Sequence, residues 1–404
     1  MKYIVLIPDG AADHPRPELD GRTPLQAAAI PNLDALADAG ELGLARTVPE
    51  GFPPGSDVAN LCVMGYDPHD YYTGRAPLEA ASMGIQLNRK DVAFRCNLVW
   101  VEQGLMRDFS AGHISDTEAG ELIDFLQNNL GGGGAAFHAG LSYRHIMVTG
   151  GQGLEARCTP PHDITGKPIE GHLPTGSGSA WLRGLMDVSA RILPDHPVNI
   201  QRRREGKAPA NMIWLWGQGT APNIPTIGER YGISGSVISA VDLVKGLGIY
   251  AGLEVIEVPG ATGFLDTDYA AKAASGLASL KKKDFVYIHV EAPDEASHMG
   301  DSDAKVEAIE RIDSELLAPL LAGLEHTGPF RLLVLPDHAT PLDIKTHTDE
   351  PVPFLLYDSE RKGEGGGDFN EQDAARGTVG RVDGWKLMDK LLSEGSGTAE
   401  TVSS

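Results

Sequence analysis

Cysteine is scarce in this chain of 404 residues, which contains three. Cys62, Cys96 and Cys158 lie far apart, and they have neither the CxxC spacing of a zinc site nor the pattern of a disulfide framework. We therefore expect a protein of a reducing compartment, the cytoplasm. Basic residues are also few, because 34 Lys and Arg stand against 56 Asp and Glu, a formal net charge of −22. A protein with no net positive field is not expected to bind nucleic acid.

Long apolar runs and nucleotide-binding loops are missing as well. No run approaches the roughly 18 apolar residues that a membrane helix needs. Pro8 and Asp9 interrupt the apolar start of the chain too early for a signal peptide. We find neither a GxxxxGKS/T loop nor a kinase-type glycine-rich loop with its accompanying signatures. The sequence therefore predicts no membrane partner, and it counts against these two classes of ATP-binding protein.

The length and the apolar content of 41% allow one large α/β domain and a second, smaller one. Strand and helix signals alternate over residues 1–87, and the alternation resumes over 206–393. The composition between these segments is different, with a glycine run and loops that contain proline. This change predicts an inserted domain at 88–205. Residues 394–404 are rich in Gly, Ser and Thr, and we expect this tail to be disordered.

Three short apolar runs each end close to an aspartate: Tyr3–Ile7 before Asp9, Phe285–Val290 before Asp294, and Leu332–Leu335 before Asp337. Continuous aliphatic runs of this length, stopped by Pro or Gly, are typical of parallel strands that are buried on both faces. In open α/β sheets, ligands bind beyond the carboxyl ends of the strands. The three aspartates should therefore meet at one edge. Because crowded carboxylates need a cation between them, the pattern predicts a metal site.

Histidines accompany two of these aspartates. Asp294 and His298 are four residues apart, which places both side chains on one face of a helix. His338 directly follows Asp337, and His347 lies in the loop before the last predicted strand, Val352–Tyr357. Mixed carboxylate and imidazole ligands suit Mn²⁺ or Zn²⁺ better than Ca²⁺. We interpret His289, inside the second apolar run, as a packing residue of the core.

Ser56 precedes a segment with a helical pattern, Val58–Met64, and it allows two interpretations. It is either the N-cap of that helix, a position that serine favours, or a nucleophile at the helix N-terminus. The second interpretation follows from the helix dipole and the free N–H groups, which favour a phosphoryl group there. Spacing alone leaves both open.

An ordered set of motifs resembles the archaeal-type branch of the cofactor-independent phosphoglycerate mutases, in the alkaline phosphatase superfamily. The motifs are Pro8-Asp9-Gly10, Gly55-Ser56-Asp57-Val58-Ala59-Asn60, Tyr72-Thr73-Gly74-Arg75, Asp294-Glu295-Ala296-Ser297-His298, Pro336-Asp337-His338 and His347-Thr348. The resemblance implies an alkaline-phosphatase-like α/β core, with a mostly parallel sheet flanked by helices, and a smaller α+β insertion that covers the substrate. It implies two divalent metal ions and no 2,3-bisphosphoglycerate.

The resemblance also assigns residues to roles. Ser56 would be transiently phosphorylated. One metal ion would be held by Asp9, Ser56, Asp337 and His338, and the other by Asp294, His298 and His347. The candidates for binding the substrate are Arg75, Arg95, His113, Arg144, Asp163 and Lys245. Asp163 or His113 would shuttle the proton, on residue type alone. We interpret Arg202–Arg204 as an exposed run of charge.

The expected reaction is the interconversion of 3-phosphoglycerate and 2-phosphoglycerate through a phosphoserine. Two alternatives use the same core. One is phosphotransfer to another hydroxy compound, as in a homoserine kinase, and the other is metal-dependent phosphate hydrolysis. The oligomeric state cannot be predicted from the sequence.

Overall fold

A computed structural model describes residues 1–361, 363 and 365–392. The predicted disordered tail, 394–404, lies outside the described residues. The chain divides into two compact units, which we describe separately. Unit 1 comprises Met1–Tyr72 and Ile224–Ser404, and unit 2 comprises Thr73–Asn223.

The strands of the described residues are numbered in chain order: β1 (Lys2–Pro8), β2 (Glu41–Arg46), β3 (Val92–Glu102), β4 (Leu105–Asp108), β5 (Ala135–His138), β6 (Arg144–Thr149), β7 (Ala156–Arg157), β8 (Thr175–Gly176), β9 (Met212–Thr220), β10 (Gly235–Ile238), β11 (Glu254–Val255), β12 (Phe285–Val290), β13 (Phe330–Val334), β14 (Val352–Asp358) and β15 (Gly380–Asp383).

The α-helices of the same residues are α1 (Pro24–Ala27), α2 (Pro31–Ala39), α3 (Ser56–Val63), α4 (Pro68–Tyr71), α5 (Ala76–Ser82), α6 (Asp116–Leu130), α7 (Ser179–Ile192), α8 (Pro197–Arg204), α9 (Ile227–Tyr231), α10 (Asp242–Tyr250), α11 (Tyr269–Leu280), α12 (Ala292–Met299), α13 (Ser302–Arg311), α14 (Ala318–Leu324), α15 (Glu371–Ala374) and α16 (Leu387–Leu392). None of them is long and apolar enough to cross a membrane.

Unit 1 is built on a sheet with the strand order β11-β10-β12-β1-β13-β14-β2-β15. The neighbours from β11 to β13 are all parallel, whereas β14 runs antiparallel to both β13 and β2. The three predicted strands β1, β12 and β13 lie side by side at the centre. Their residues are almost all buried, as the continuous apolar runs predict. The predicted α/β class with a mostly parallel sheet is confirmed.

The helices of unit 1 bury apolar residues in the same core. Helix α2 begins with Pro31, whose fixed φ suits a first helical position, and it buries Leu33, Leu36 and Ala37. Leu316 and Leu320 join them in one cluster that also contains Ile4 and Ile288 of the central strands. The central strands are therefore packed against these helices in one apolar core.

Unit 2 has a separate core and an antiparallel sheet. Strands β4, β3, β6 and β5 follow in that order, and β9 pairs with β3. The predicted insertion at 88–205 is narrower than this unit. The unit begins earlier because α5 packs its Ala76 and Ala80 on Ala93 of β3. It ends later because β9 supplies Trp214 and Leu215 to the same core as Phe94.

The interpretation of Arg202–Arg204 as an exposed run is wrong for its first member. Arg203 and Arg204 are exposed, but Arg202 is buried, at 2% exposure. Its guanidinium donates to Glu118 Oε2 at 2.6 Å, to the Ala111 carbonyl at 2.7 Å and to the Ala208 carbonyl at 2.8 Å. Position within a run of arginines does not show which one faces inward on α8.

Candidate metal centre and active site

The three aspartates converge at the carboxyl edge of the central strands. Asp9 follows β1 directly, Asp294 lies in the first turn of α12 after β12, and Asp337 lies three residues after β13. All three are buried, with exposures of 1%, 5% and 0%. Because β12, β1 and β13 are adjacent and parallel, their loops leave the same edge of the sheet. The predicted convergence is confirmed, whereas the role of each residue stays a prediction.

The charges of these carboxyl groups act on each other. Burial and the negative charges of Asp337 and Asp294 raise the pKa of Asp9 well above its ordinary value. Burial alone would raise the pKa of Asp294, but His298 and His347 hold it well below that of an ordinary aspartate. Oδ1 of Asp9 is buried and has no hydrogen-bond partner. A positive charge in this cavity would satisfy that atom and relieve the repulsion.

Asp294, His298 and His347 form the first group of converging ligand atoms. His298 Nε2 lies 3.1 Å from Asp294 Oδ2, one turn earlier on α12, and 3.1 Å from His347 Nε2. His347 Nε2 lies 3.6 Å from Asp294 Oδ1. The other ring nitrogen of His298 is 3.0 Å from the Lys345 carbonyl, an arrangement that fixes the ring and leaves Nε2 for a ligand. This group matches one of the two predicted metal sets.

The four residues of the other predicted set also lie close together. His338 Nε2 lies 3.6 Å from Asp9 Oδ1, 3.4 Å from Asp337 Oδ2 and 3.1 Å from Ser56 Oγ. The converging ligand atoms, however, form two overlapping groups, one of Asp9, Asp294 and His338 and one of Asp9, His289 and Asp337. Asp9 is therefore shared, because its two oxygens face different neighbours.

Ser56 is the first residue of α3, and Gly55 is the N-cap. The N-cap interpretation of Ser56 is therefore wrong, and its hydroxyl faces His338 instead of capping the helix. Asn60, one turn later, donates to the Ser56 carbonyl at 2.9 Å and to Asp337 Oδ2 at 2.7 Å. Tyr287 donates in turn to Asn60 Oδ1 at 2.6 Å. This link from Asn60 to Ser56 and Asp337 was not predicted, although the i, i+4 spacing of Asn60 from Ser56 could have signalled it.

His289 is buried in the core, as predicted, but it also lies against Asp9. The imidazole is fully buried, and Nε2 lies 3.1 Å from Asp9 Oδ2. Burial lowers the pKa of His289 to about 4, against the negative charge of Asp337, which acts to raise it. The contact with Asp9 follows from the strand register, in which His289 of β12 lies opposite Ile7 of β1, two residues before Asp9.

In unit 2, two of the predicted substrate residues contact one partly buried carboxylate, and the charge of a third acts on it. Glu79 lies 3.0 Å from Arg75 Nε through Oε1 and 2.9 Å from Arg95 Nε through Oε2. Burial alone would raise the pKa of Glu79, but Arg95, Arg75 and Arg144 together lower it. The Arg95 guanidinium also stacks 4.4 Å from the centre of the Trp216 ring. The structure thus groups three arginines that the sequence separates.

The remaining candidates are more dispersed. In unit 2, the His113 ring lies 6.0 Å from the ring of Tyr143, over which Arg144 stacks at 5.7 Å. The Asp163 side chain is 58% exposed and lies 3.6 Å from His162 Nε2. In unit 1, Lys245 binds both carboxylate oxygens of Glu257, at 2.9 and 2.8 Å. The role of each in substrate binding stays a prediction.

Comparisons with known proteins agree on one family. A sequence model of the family 2,3-bisphosphoglycerate-independent phosphoglycerate mutase matches residues 37–199. The relative named 2,3-bisphosphoglycerate-independent phosphoglycerate mutase in Methanosarcina acetivorans is 53% identical, over 97% of this chain and 100% of its own length. A relative from Geobacter sulfurreducens, named as a probable enzyme of this kind, is 51% identical over 97% of this chain and 100% of its own.

Solved structures agree with this result. A Pyrococcus horikoshii protein superposes with a TM-score of 0.83 at 30% identity, covering 98% of this chain and 99% of its own. The cofactor-independent phosphoglycerate mutase of Thermoplasma acidophilum superposes with a TM-score of 0.66 at 27% identity, covering 97% and 99%. The identity to the curated relatives over nearly the whole of both chains shows that this chain belongs to the family of 2,3-bisphosphoglycerate-independent phosphoglycerate mutases.

Proposed function

We propose that this protein interconverts 3-phosphoglycerate and 2-phosphoglycerate without 2,3-bisphosphoglycerate, through a phosphoserine at Ser56. The observation that carries the proposal is the position of the Ser56 hydroxyl. It lies at the first residue of α3, 3.1 Å from His338 Nε2 and beside the buried carboxylates of the candidate metal centre. The names and the full-length similarity of the relatives support the same reaction.

The donor atoms of this centre fit divalent cations. Asp9, Asp337 and Ser56, which all lie within 3.6 Å of His338 Nε2, would hold one ion together with it. Asp294, His298 and His347 would hold the other, as carboxylate and imidazole ligands do for Mn²⁺ or Zn²⁺. The unpartnered Asp9 Oδ1 is the atom that most requires such an ion. When bound, the ions would lower the pKa of the serine hydroxyl and neutralise the charge of the phosphoryl group.

The residues of the chain would then orient and transfer the phosphoryl group. Ser56 Oγ attacks phosphorus in line, the bond from phosphorus to the 3-oxygen breaks, and glycerate takes up the proton at that oxygen. The free N–H groups at the start of α3 favour the negative charge of the phosphoserine. After glycerate turns, its 2-oxygen attacks the phosphoserine and regenerates the hydroxyl of Ser56. Asp163 or His113 would shuttle the proton.

Three arginines of unit 2 are the candidates for binding the substrate anion. We assign Arg75, Arg95 and Arg144 to this task, because arginine matches carboxylate and phosphate oxygens in pairs. Asn60 would keep Asp337 oriented by its hydrogen bond at 2.7 Å. The enclosure of the reacting groups would separate a mutase from a phosphatase, because water in an open site would hydrolyse the phosphoserine.

Replacement of the nucleophile tests the proposal. Ser56→Ala should lose turnover of 3-phosphoglycerate in an enolase-coupled assay, and peptide mass spectrometry should find phosphoserine at Ser56 only in the parent protein. Ser314→Ala serves as the control, because its hydroxyl is exposed and donates only to the Glu310 carbonyl. Full activity of Ser56→Ala would refute the covalent route. Free phosphate as the main product would instead identify a phosphatase, and activity only with homoserine and ATP would identify a kinase.

A further inference from the structure

The imidazole of His289 occupies an unusual position among the buried residues. It lies on β12, between β10 and β1, and is fully buried. Its Nε2 has no hydrogen-bond partner, although it is 3.1 Å from Asp9 Oδ2. The contact is short enough for a hydrogen bond but lacks the direction of one. A buried ring nitrogen without a hydrogen-bond partner calls for a further group beside it, such as an ion.

The backbone explains why the two side chains meet. In the parallel register, Ile7 lies opposite His289, and side chains at opposite positions point to the same face of the sheet. Asp9 comes two residues after Ile7, and its N–H still bonds to the Val290 carbonyl at 3.0 Å, so that the alternation continues. The backbone of β12 is held from the other side, since Lys272 Nζ donates to the His289 carbonyl at 3.0 Å. The backbone is therefore fixed on both strands at the point where the two side chains meet.

The opposite side of the imidazole ring is also engaged. His289 Nδ1 lies 3.4 Å from Ser239 Oγ, which accepts a hydrogen bond from the Val241 N–H at 2.9 Å. Histidines that bind metals characteristically engage their second nitrogen in this way, which leaves the first with a lone pair for the ion. The nitrogen that remains for a ligand is the one that faces Asp9.

Ligand atoms around one ion lie at characteristic separations. Two ligands bound at about 2.0–2.2 Å in a tetrahedral site are about 3.3–3.6 Å apart, and closer in octahedral sites. The distance of 3.1 Å between His289 Nε2 and Asp9 Oδ2 is near this value. Asp337 completes the group, because one ligand atom from each of the three residues lies within 4.8 Å of the others.

We propose that His289 is a metal ligand of this centre, and that its Nε2, Asp9 and Asp337 together bind one divalent cation. Asp9 and Asp337 then belong to both ligand sets. Asp9 Oδ2 faces His289 at 3.1 Å and its Oδ1 faces His338 at 3.6 Å, whereas Asp337 Oδ2 lies 3.4 Å from His338 Nε2. The inference rests on the metal centre of the proposed function, to which it adds one histidine. Four histidines of unit 1 coordinate metal in this arrangement: His289, His298, His338 and His347.

The number of metal-bound histidines is directly measurable. We would load the full-length, metal-free protein, labelled with ¹⁵N-histidine, with ¹¹³Cd²⁺ and detect the coupling between cadmium and each ring nitrogen by NMR. We expect four coupled histidines in the parent protein and three in His289→Gln. Three coupled histidines in both proteins, or no bound cadmium, would overturn the proposal. A histidine that merely orients Asp9 by a hydrogen bond shows no coupling to the metal.

A matched control separates coordination from the loss of a buried ring. His145 of unit 2 is also buried and also has an unpartnered Nε2, but it belongs to none of the converging groups of ligand atoms. Titration of the metal-free proteins with Zn²⁺ should show affinity reduced at least about tenfold in His289→Gln and unchanged in His145→Gln. Equal affinity in all three proteins would contradict the proposal. The assay of Ser56 tests the reaction independently, so the proposed function can fail while the coordination stands.

Discussion

Lys305 on α13 is a fully buried cation that connects two loops of the metal centre. Its Nζ donates to Asp13 Oδ2 at 2.7 Å, to the Thr340 carbonyl at 3.0 Å and to the Ala12 carbonyl at 3.4 Å. Ala12 and Asp13 follow β1 and Asp9, whereas Thr340 follows β13, Asp337 and His338. Asp13 also accepts a hydrogen bond from the Leu342 N–H at 3.1 Å. The ion pair therefore fixes the loops that carry three of the predicted metal ligands.

Lys305→Met should destabilise the protein strongly. The methionine fills much of the same space but leaves the Asp13 carboxylate buried and unpaired, since both side chains are 0% exposed. Removal of one partner of a buried ion pair costs about 3–5 kcal/mol. For a folding unit of this size, about 2–4 °C of Tm is lost per kcal/mol, so that Tm should fall by about 6–20 °C.

Differential scanning calorimetry of the metal-free proteins measures this loss. The control is Lys386→Met, whose ammonium group is 2.9 Å from Asp383 but whose side chain is 65% exposed, so the cost should stay below about 1 kcal/mol. A second replacement, Asp13→Asn, should recover part of the loss in the Lys305→Met background, because no buried charge then remains unpaired. A Lys305→Met protein as stable as the Lys386→Met control would refute this reasoning.

Two further predictions concern the substrate and the metal. Glu79→Gln removes the negative charge that orients Arg75 and Arg95. A hydrogen bond to a charged group contributes about 1.5–3 kcal/mol, so its loss should raise KM for 3-phosphoglycerate by about 10- to 150-fold. An unchanged KM in the enolase-coupled assay would show that these arginines do not bind the substrate. Burial lowers the pKa of His298, but Asp294 outweighs it and raises the value to about 9 in the metal-free protein. Metal binding at pH 7.5 should therefore release at least about one proton, that of His298, and affinity should rise with pH up to that pKa. Calorimetry in buffers of different ionisation enthalpy measures this number, and a release of zero would contradict the assignment of His298.

Elements that are buried on both sides were predictable from the sequence. The runs Tyr3–Ile7 and Phe285–Val290 are apolar at nearly every position because β1 and β12 are buried on both faces, and they were found where predicted. Strand β14 was also predicted as a strand, but its antiparallel direction was not. Direction depends on how the connecting segments return to the sheet, and no residue within the strand encodes it.

The functional side chains also differ in how far the sequence predicted them. His298 was predictable because its distance from Asp294 is set by helical geometry within one segment. His289 and Glu79 were not predictable, because their roles depend on side chains that arrive from other segments: Asp9 across the sheet, and Arg95 from the strand beyond α5.

The sequence by itself determined the local order of strands, turns and ligand types, since hydrophobic periodicity and motif spacing act over a few residues. Only the tertiary structure decided which oxygens of Asp9 face His289 and His338, and which member of Arg202–Arg204 is buried. Strand register and helix packing set these contacts between residues that lie far apart in the chain.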